Sequence, residues 1–174
     1  MMTKRENVIV ETVYRQTGWK KINGGYTFLM PDKYSPLKVE LSGKLCSYGF
    51  SYQTAASDIK YLAQLLDKPF APSKIMYLLL AFVFLTPLNH FLKKAGCEPK
   101  YIVSLFGKTG SRKSTMTAFL LSFFGRFSVS DLPHSSNDTA NSIIESAYLL
   151  KDVLTCVDDF HPAVSYRAQE MNST

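Results

Sequence analysis

Residues 107–115 carry the residue types that bind phosphate groups in nucleotide-binding proteins. The run is Gly107-Lys108-Thr109-Gly110-Ser111-Arg112-Lys113-Ser114-Thr115. It agrees with the Walker A pattern G-x-x-x-x-G-K-[ST] at Gly107, Lys113 and Ser114. In such a loop, backbone N–H groups and a helix N-terminus converge on the phosphates. We predict that all nine residues bind nucleotide, that Lys113 is catalytic through the β- and γ-phosphates, and that Ser114 binds Mg²⁺.

One position of the loop departs from the pattern. Arg112 stands where the pattern has the glycine that precedes the lysine. Glycine serves where backbone approaches phosphate closely or adopts a strained angle. The Arg112 side chain either points away from the nucleotide or adds a guanidinium charge over the phosphates. The sequence leaves both interpretations open.

A second set of chemical groups follows an apolar run. Residues 153–157 are mostly apolar and lead into Asp158 and Asp159, and Asp158 lies 45 residues after Lys113. This is the form of a Walker B strand. Asp158 is expected to bind Mg²⁺ opposite Ser114. Asp159, as a second catalytic residue, is expected to orient or deprotonate the attacking water.

Strands and helices in a regular order would place these two sites together. The sequence predicts strands over residues 101–106, 127–130 and 153–157, alternating with helices over 114–124 and 139–150. Strand, loop, helix, strand, helix, strand is the order of a parallel α/β sheet. We therefore predict an α/β fold with a P-loop NTPase parallel sheet over residues 100–174.

Two regions are expected before this core. Residues 1–52 are predicted to be a small, mostly extended α+β region with a turn at Gly24-Gly25, and residues 53–99 a helical connector. The apolar run 75–88 is 14 residues long, against the roughly 20 that cross a bilayer. We expect a buried helix that covers a sheet, and no membrane partner.

Composition and charge limit the possible classes. Hydrophobic residues make up 46% of the 174 residues, which excludes a disordered tail or a disulfide-stapled miniprotein. Three widely spaced cysteines predict a reduced, cytoplasmic setting and argue against zinc. Residues 1–100 carry 14 Lys and Arg against 7 Asp and Glu, whereas residues 101–174 carry 6 against 7. The basic excess therefore precedes the predicted nucleotide site.

Two further segments, taken with the loop, carry a resemblance to a known family. They are Leu132-Pro133 with Thr139-Ala140-Asn141-Ser142-Ile143-Ile144-Glu145, and Val157-Asp158-Asp159-Phe160-His161-Pro162. The chain resembles the primase/helicase-like P-loop ATPases of bacterial phages, plasmids and integrative elements, a family of the domain-of-unknown-function type. The segment Thr17-Gly18-Trp19 resembles the region upstream of their ATPase core.

The resemblance implies a function. Such proteins are similar to superfamily 3 helicases, whose ring subunits use ATP and Mg²⁺ to move on DNA. It implies DNA as a partner, a homo-oligomeric ring for the full-length protein, and the roles given above for Lys113, Ser114, Asp158 and Asp159. In the family, a polar sensor residue and an arginine finger follow the acidic strand, and this sequence has no positions that match them. We therefore expect the first half of an ATPase core, with weak or no hydrolysis alone.

Two other functions are considered. A binding module with a degenerate P-loop would contact DNA or a partner without turnover, as Arg112 and the basic first 100 residues suggest. A small-molecule kinase also places a helix after a P-loop. Kinases need an arginine-rich lid, and residues 114–174 hold only Arg126 and Arg167, so this function ranks last.

Overall fold

The protein has a mixed α/β fold built from short elements. The structure, a computed structural model, describes residues 11–50, 55–108 and 110–159. The strands are β1 (Val13–Tyr14), β2 (Gly18–Ile22), β3 (Gly25–Leu29), β4 (Lys38–Val39), β5 (His134–Ser135) and β6 (Val157–Asp158). The helices are α1 (Ala55–Asp67), α2 (Ser73–Leu85), α3 (Asn89–Lys94), α4 (Lys113–Leu121) and α5 (Ala140–Leu149), with 3₁₀ turns at Gly43–Ser47 and Thr86–Leu88.

The N-terminal region contains the antiparallel hairpin β2–β3. Asn23 and Gly24 both have positive φ, at 49° and 87°, which is the geometry of a tight two-residue hairpin loop. The register pairs Gly18 with Leu29 and Ile22 with Gly25. The predicted turn is confirmed, shifted by one residue. Nearby, β1 pairs in parallel with β4.

Helices α2 and α3 form one apolar helical segment through the intervening 3₁₀ turn. One face of α2 is buried, through Met76, Leu79, Leu80 and Val83, and it packs against α4. Val83 also lines a pocket together with Trp19 and Phe28 of the β2–β3 hairpin, so the helix lies beside a two-stranded sheet as well as against α4. By length and composition alone, Ser73–Lys94 is also long and apolar enough to cross a membrane, and 22% of that window is buried.

The C-terminal part has the predicted helices but much less sheet than expected. The predictions for residues 114–124 and 139–150 are confirmed by α4 and α5, and Thr139 caps α5 by accepting from Ser142 N. The strand predicted over 153–157 is reduced to β6, which pairs in parallel with β5. Residues 101–106 and 127–130 form no strand in the part of the chain that the structure describes. Those two predictions are wrong, because a strand requires a hydrogen-bonded neighbour and an apolar run alone cannot supply one.

One hydrophobic core joins all regions. Its buried members come from the N-terminal region (Met30, Leu45, Tyr48), from α2 (Leu79, Val83), from α4 and its end (Ala118, Leu120, Leu121, Phe124), and from the later loops (Leu132, Leu150, Val153, Leu154). Buried residues of the N-terminal region therefore belong to the same core as Val153 and Leu154, which precede Asp158 in the chain.

Candidate functional site

The predicted phosphate loop leads directly into α4. Lys113 is the first residue of the helix, and the first helical hydrogen bond runs from Met116 N to Arg112 O at 3.0 Å. Gly110 has φ of 82° and Arg112 has φ of 60°, so both adopt the left-handed conformation. A Cβ on Gly107 would lie 2.8 Å from Ser111 Oγ, which explains glycine there. The loop is exposed and open to a ligand.

The Lys113 side chain folds back over its own loop. Its Nζ donates to Gly107 O at 3.0 Å and to Lys108 O at 3.2 Å. These bonds hold the ammonium group above the loop, and no carboxylate of the described residues forms an ion pair with it. The charge is therefore available for an anion that reaches the loop.

The loop and the acidic strand meet at one hydrogen bond. Ser114 Oγ donates to Asp158 Oδ1 at 3.1 Å, and the bond is partly buried. The two residues are 44 positions apart, and they are the two that the sequence predicts as Mg²⁺ ligands. The structure brings this pair together.

The Asp158 backbone is held by the neighbouring strand. Ser135 is paired with Asp158 in the parallel register of β5 and β6. Ser136 N donates to Asp158 O at 3.0 Å. The next residue, Asp159, is exposed and has φ of 56°, so the backbone leaves the extended conformation directly after the strand.

An ionic group that the sequence analysis did not single out supports β5. Asp138 Oδ2 accepts from Ser135 N at 3.1 Å, and Oδ1 lies 3.6 Å from Lys44 Nζ. The bond from Ser135 and the charge of Lys44 hold the pKa of Asp138 below its usual value. His134 Nδ1 lies 3.5 Å from Asp138 Oδ2, and the His134 side chain is buried. His134 and Asp138 are four residues apart in the sequence, and this spacing is the signal from which their contact could have been predicted.

Cys156 lies just before Asp158 and Asp159, and its thiol is unreactive. Burial raises the pKa of its thiol to about 12, and the charge of Asp158 adds to the effect. A thiol with this pKa is almost wholly protonated at neutral pH. Cys156 therefore contributes packing rather than nucleophilic chemistry.

The donor set suits a nucleotide-bound Mg²⁺. Hydroxyl and carboxylate oxygens are the ligands this ion prefers, and water and phosphate oxygens commonly complete its shell. Within the described ranges, no group of three or more His, Cys, Asp or Glu side chains could hold a metal by itself. A cation at Ser114 and Asp158 would therefore bind together with phosphate.

A large cleft lies elsewhere. It has a volume of about 990 Å³ and runs between α1 and the end of α4, lined by Tyr61, Phe70 and Phe119 among others. None of the predicted nucleotide-binding residues lines it. The described residues of the candidate site thus form an exposed loop at a helix start, away from this cleft.

Most of the predicted site residues lie together at this loop. Gly107, Lys108, Gly110, Ser111, Arg112, Lys113, Ser114 and Thr115 form the loop and the first turn of α4, with Asp158 beside them and Asp159 following it. Thr109 and the resembling residues 160–162 lie outside the described residues. No protein-family model matches the chain, and no curated protein or solved structure matches it.

Proposed function

We propose that the chain is the ATP-binding P-loop domain of a mobile-element DNA replication protein of the helicase or primase type. The contact between Ser114 Oγ and Asp158 Oδ1, at 3.1 Å, carries the proposal. A hydroxyl at the start of a helix after a Gly-rich loop, bonded to an acid at a strand end, is the arrangement needed to hold Mg²⁺ on nucleotide phosphates. A P-loop nucleotide site built on the loop before α4 and on the short parallel pair β5–β6 belongs to the same proposal.

The residues of the loop have separate tasks. Lys113 leaves the carbonyls of Gly107 and Lys108 and places its ammonium group on the phosphates. The N-terminus of α4 adds the favourable end of the helix dipole. Ser114 and Asp158 hold Mg²⁺, which neutralises phosphate charge when bound. These four contributions bind and orient the nucleotide.

Hydrolysis is proposed to be weak in this chain alone. Asp159 would orient or deprotonate the attacking water, but its side chain is shorter than the glutamate more usual at that place. We further propose that the protein forms a homo-oligomeric ring that acts on DNA in the cytoplasm. Cys46, Cys97 and Cys156 are all free thiols, which supports a reducing compartment.

Binding of MgATP measured by calorimetry tests the proposal. We expect Lys113→Ala to weaken binding by about tenfold to 100-fold, since hydrogen bonds to charged groups contribute roughly 1.5–3 kcal/mol. Lys100→Ala is the matched control, because Lys100 is an exposed lysine outside the loop, with a side chain 80% exposed. Equal affinity for the Lys113→Ala variant and the wild type, or no binding by folded wild type, contradicts the proposal.

A second candidate function is a binding module that contacts nucleic acid without turnover. Lysines lie over tyrosine rings in the basic first 100 residues: Lys20 Nζ is 4.6 Å from the Tyr14 ring centre, and Lys94 Nζ is 4.3 Å from that of Tyr26. Proteins that bind single-stranded nucleic acid combine positive charges, which contact the phosphate backbone, with aromatic side chains, on which the bases stack. DNA affinity that falls steeply with salt and is unchanged in Lys113→Ala would favour this function.

A further inference from the structure

An N-terminal segment is bonded to the turn that leads into the acidic strand. We call residues 16–19 the latch. Thr17 N donates to Leu149 O at 2.9 Å, and Thr17 Oγ1 donates to Lys151 O at 2.8 Å. Thr17 is 0% exposed, and its hydroxyl bond to Lys151 O is partly buried. Lys151 Nζ donates in return to Gln16 Oε1 at 3.1 Å.

The backbone of the latch also lies very close to residues 151–152. Gly18 has φ of 93°, and a Cβ there would lie 2.6 Å from Lys151 O. Trp19 N donates to Asp152 Oδ2 at 3.0 Å, and Asp152 has φ of 57°. A non-glycine residue in the left-handed region is costly. The close approach therefore requires glycine at position 18, while aspartate is one of the few other residue types that adopt the left-handed conformation of Asp152.

The strand beyond this turn has few anchors of its own. Strand β6 has two residues, and among the described residues it pairs only with β5, which also has two. A ladder this short is far below the usual strand length of about five or six residues. The ladder cannot fix the position of Asp158 by itself.

The N-terminal region provides the missing anchors. The latch holds residues 151–152, and Tyr48 Oη donates to Leu154 O at 2.9 Å in a buried bond. Val153 and Leu154 are 6% and 8% exposed. The segment is therefore fixed at two places before it reaches Asp158, and both anchors come from residues before position 50.

We infer that the latch and Asp152 are a positioning device for Asp158: they set the carboxylate opposite Ser114, so that the N-terminal region controls the Mg²⁺-dependent part of nucleotide binding. This inference deepens the proposed function and rests on it for one of its two readouts. The phosphate contacts of Lys113 lie on the loop and do not depend on the latch.

The first test is hydrogen exchange of the ligand-free protein. Thr17→Val removes the hydroxyl at nearly constant volume, and Asp152→Ala removes the acceptor of Trp19 N. We expect exchange of residues 153–158 to be about tenfold faster in both variants, with α4 unchanged, since loss of one buried bond shifts local opening by about this factor. Thr17→Ser and Asp152→Asn keep an oxygen and should restore protection.

The second test separates positioning from general stability. Nucleotide affinity is measured for ATP with Mg²⁺ and for ATP with a chelator. We expect Thr17→Val and Asp152→Ala to lower the gain from Mg²⁺ by about fivefold to tenfold and to leave metal-free affinity within about twofold of wild type. Equal loss in both conditions overturns the inference.

The two proposals fail in different ways. Unchanged exchange of residues 153–158 in both latch variants overturns the positioning role, whatever the nucleotide result. Wild-type protein that binds no nucleotide overturns the proposed function, while the exchange experiment still decides whether the latch positions the acidic strand.

Discussion

At the scale of residues, Arg112 explains why the phosphate-loop pattern prefers glycine before the lysine. Its φ of 60° and ψ of 31° place it in the left-handed region, which glycine adopts without steric cost. Its guanidinium makes no hydrogen bond or ion pair with the residues that the structure describes. Arg112 therefore adopts the backbone conformation of the loop at a cost in conformational free energy, and its charge has no partner among the described residues.

Replacing this arginine should stabilise the fold. We expect Arg112→Gly to raise the free energy of unfolding by about 0.5–1 kcal/mol, because relief of left-handed strain exceeds the greater entropy of unfolded glycine. Urea unfolding measures the change. Arg112→Ala keeps the strain and should unfold near the wild-type midpoint. A lower stability for Arg112→Gly than for Arg112→Ala would contradict this reasoning.

The same two variants show whether the Arg112 side chain hinders or strengthens the binding of MgATP. If the guanidinium only crowds the loop, Arg112→Gly should bind MgATP more tightly than wild type. A tenfold loss in Arg112→Ala would instead show a contact with phosphate, since about 1.4 kcal/mol corresponds to tenfold. The sequence posed this question and could not decide it, because the pattern does not show where the side chain points.

At the scale of elements, local signals were sufficient for helices and insufficient for strands. The helical spacing of the apolar residues within 139–150 located α5 correctly, since this signal lies within the segment itself. Residues 101–106 have the composition of a buried strand, yet Ile102 and Phe106 are 92% and 91% exposed. Strand pairing is decided by distant residues, so composition predicted a sheet larger than the one present.

Neighbouring leucines on α2 test which face of that helix is packed. Leu79 is 2% exposed and Leu78 is 64% exposed. We expect Leu79→Ala to lower the free energy of unfolding by about 2–5 kcal/mol, through lost burial and a cavity. Leu78→Ala is the matched control and should change it by no more than about 0.5 kcal/mol. Comparable losses in a denaturant titration would show that both faces are covered in solution.

At the scale of the whole molecule, residues before position 50 and residues after 113 share one core. Tyr48 donates to Leu154 O, Gly49 N donates to Phe124 O at 3.0 Å, and Arg126 N donates to Ser47 O at 2.8 Å. The sequence separated residues 1–52 from the core by composition and charge, and such counts do not register contacts between distant segments.

This shared core predicts a single unfolding transition. Trp19, the only tryptophan, reports on the junction where its Nε1 donates to Pro87 O at 2.7 Å. Far-ultraviolet circular dichroism reports mainly on the helices. We expect the two midpoints in urea to coincide, as they do in two-state unfolding. A tryptophan transition that precedes the loss of helix would show that the hairpin unfolds independently.

The exposed apolar run before the phosphate loop has a consequence for the behaviour of the protein at high concentration. Residues 101–106 present Ile102 and Phe106 outward, and Lys100 and Lys108 flank them. Charges at both ends of an aggregation-prone stretch act as gatekeepers, since two aligned copies would bring like charges together. Salt shortens the screening length from about 10 Å at 0.1 M to about 3 Å at 1 M. The colloidal stability of this chain should therefore be greatest in dilute buffer and decline as salt is added.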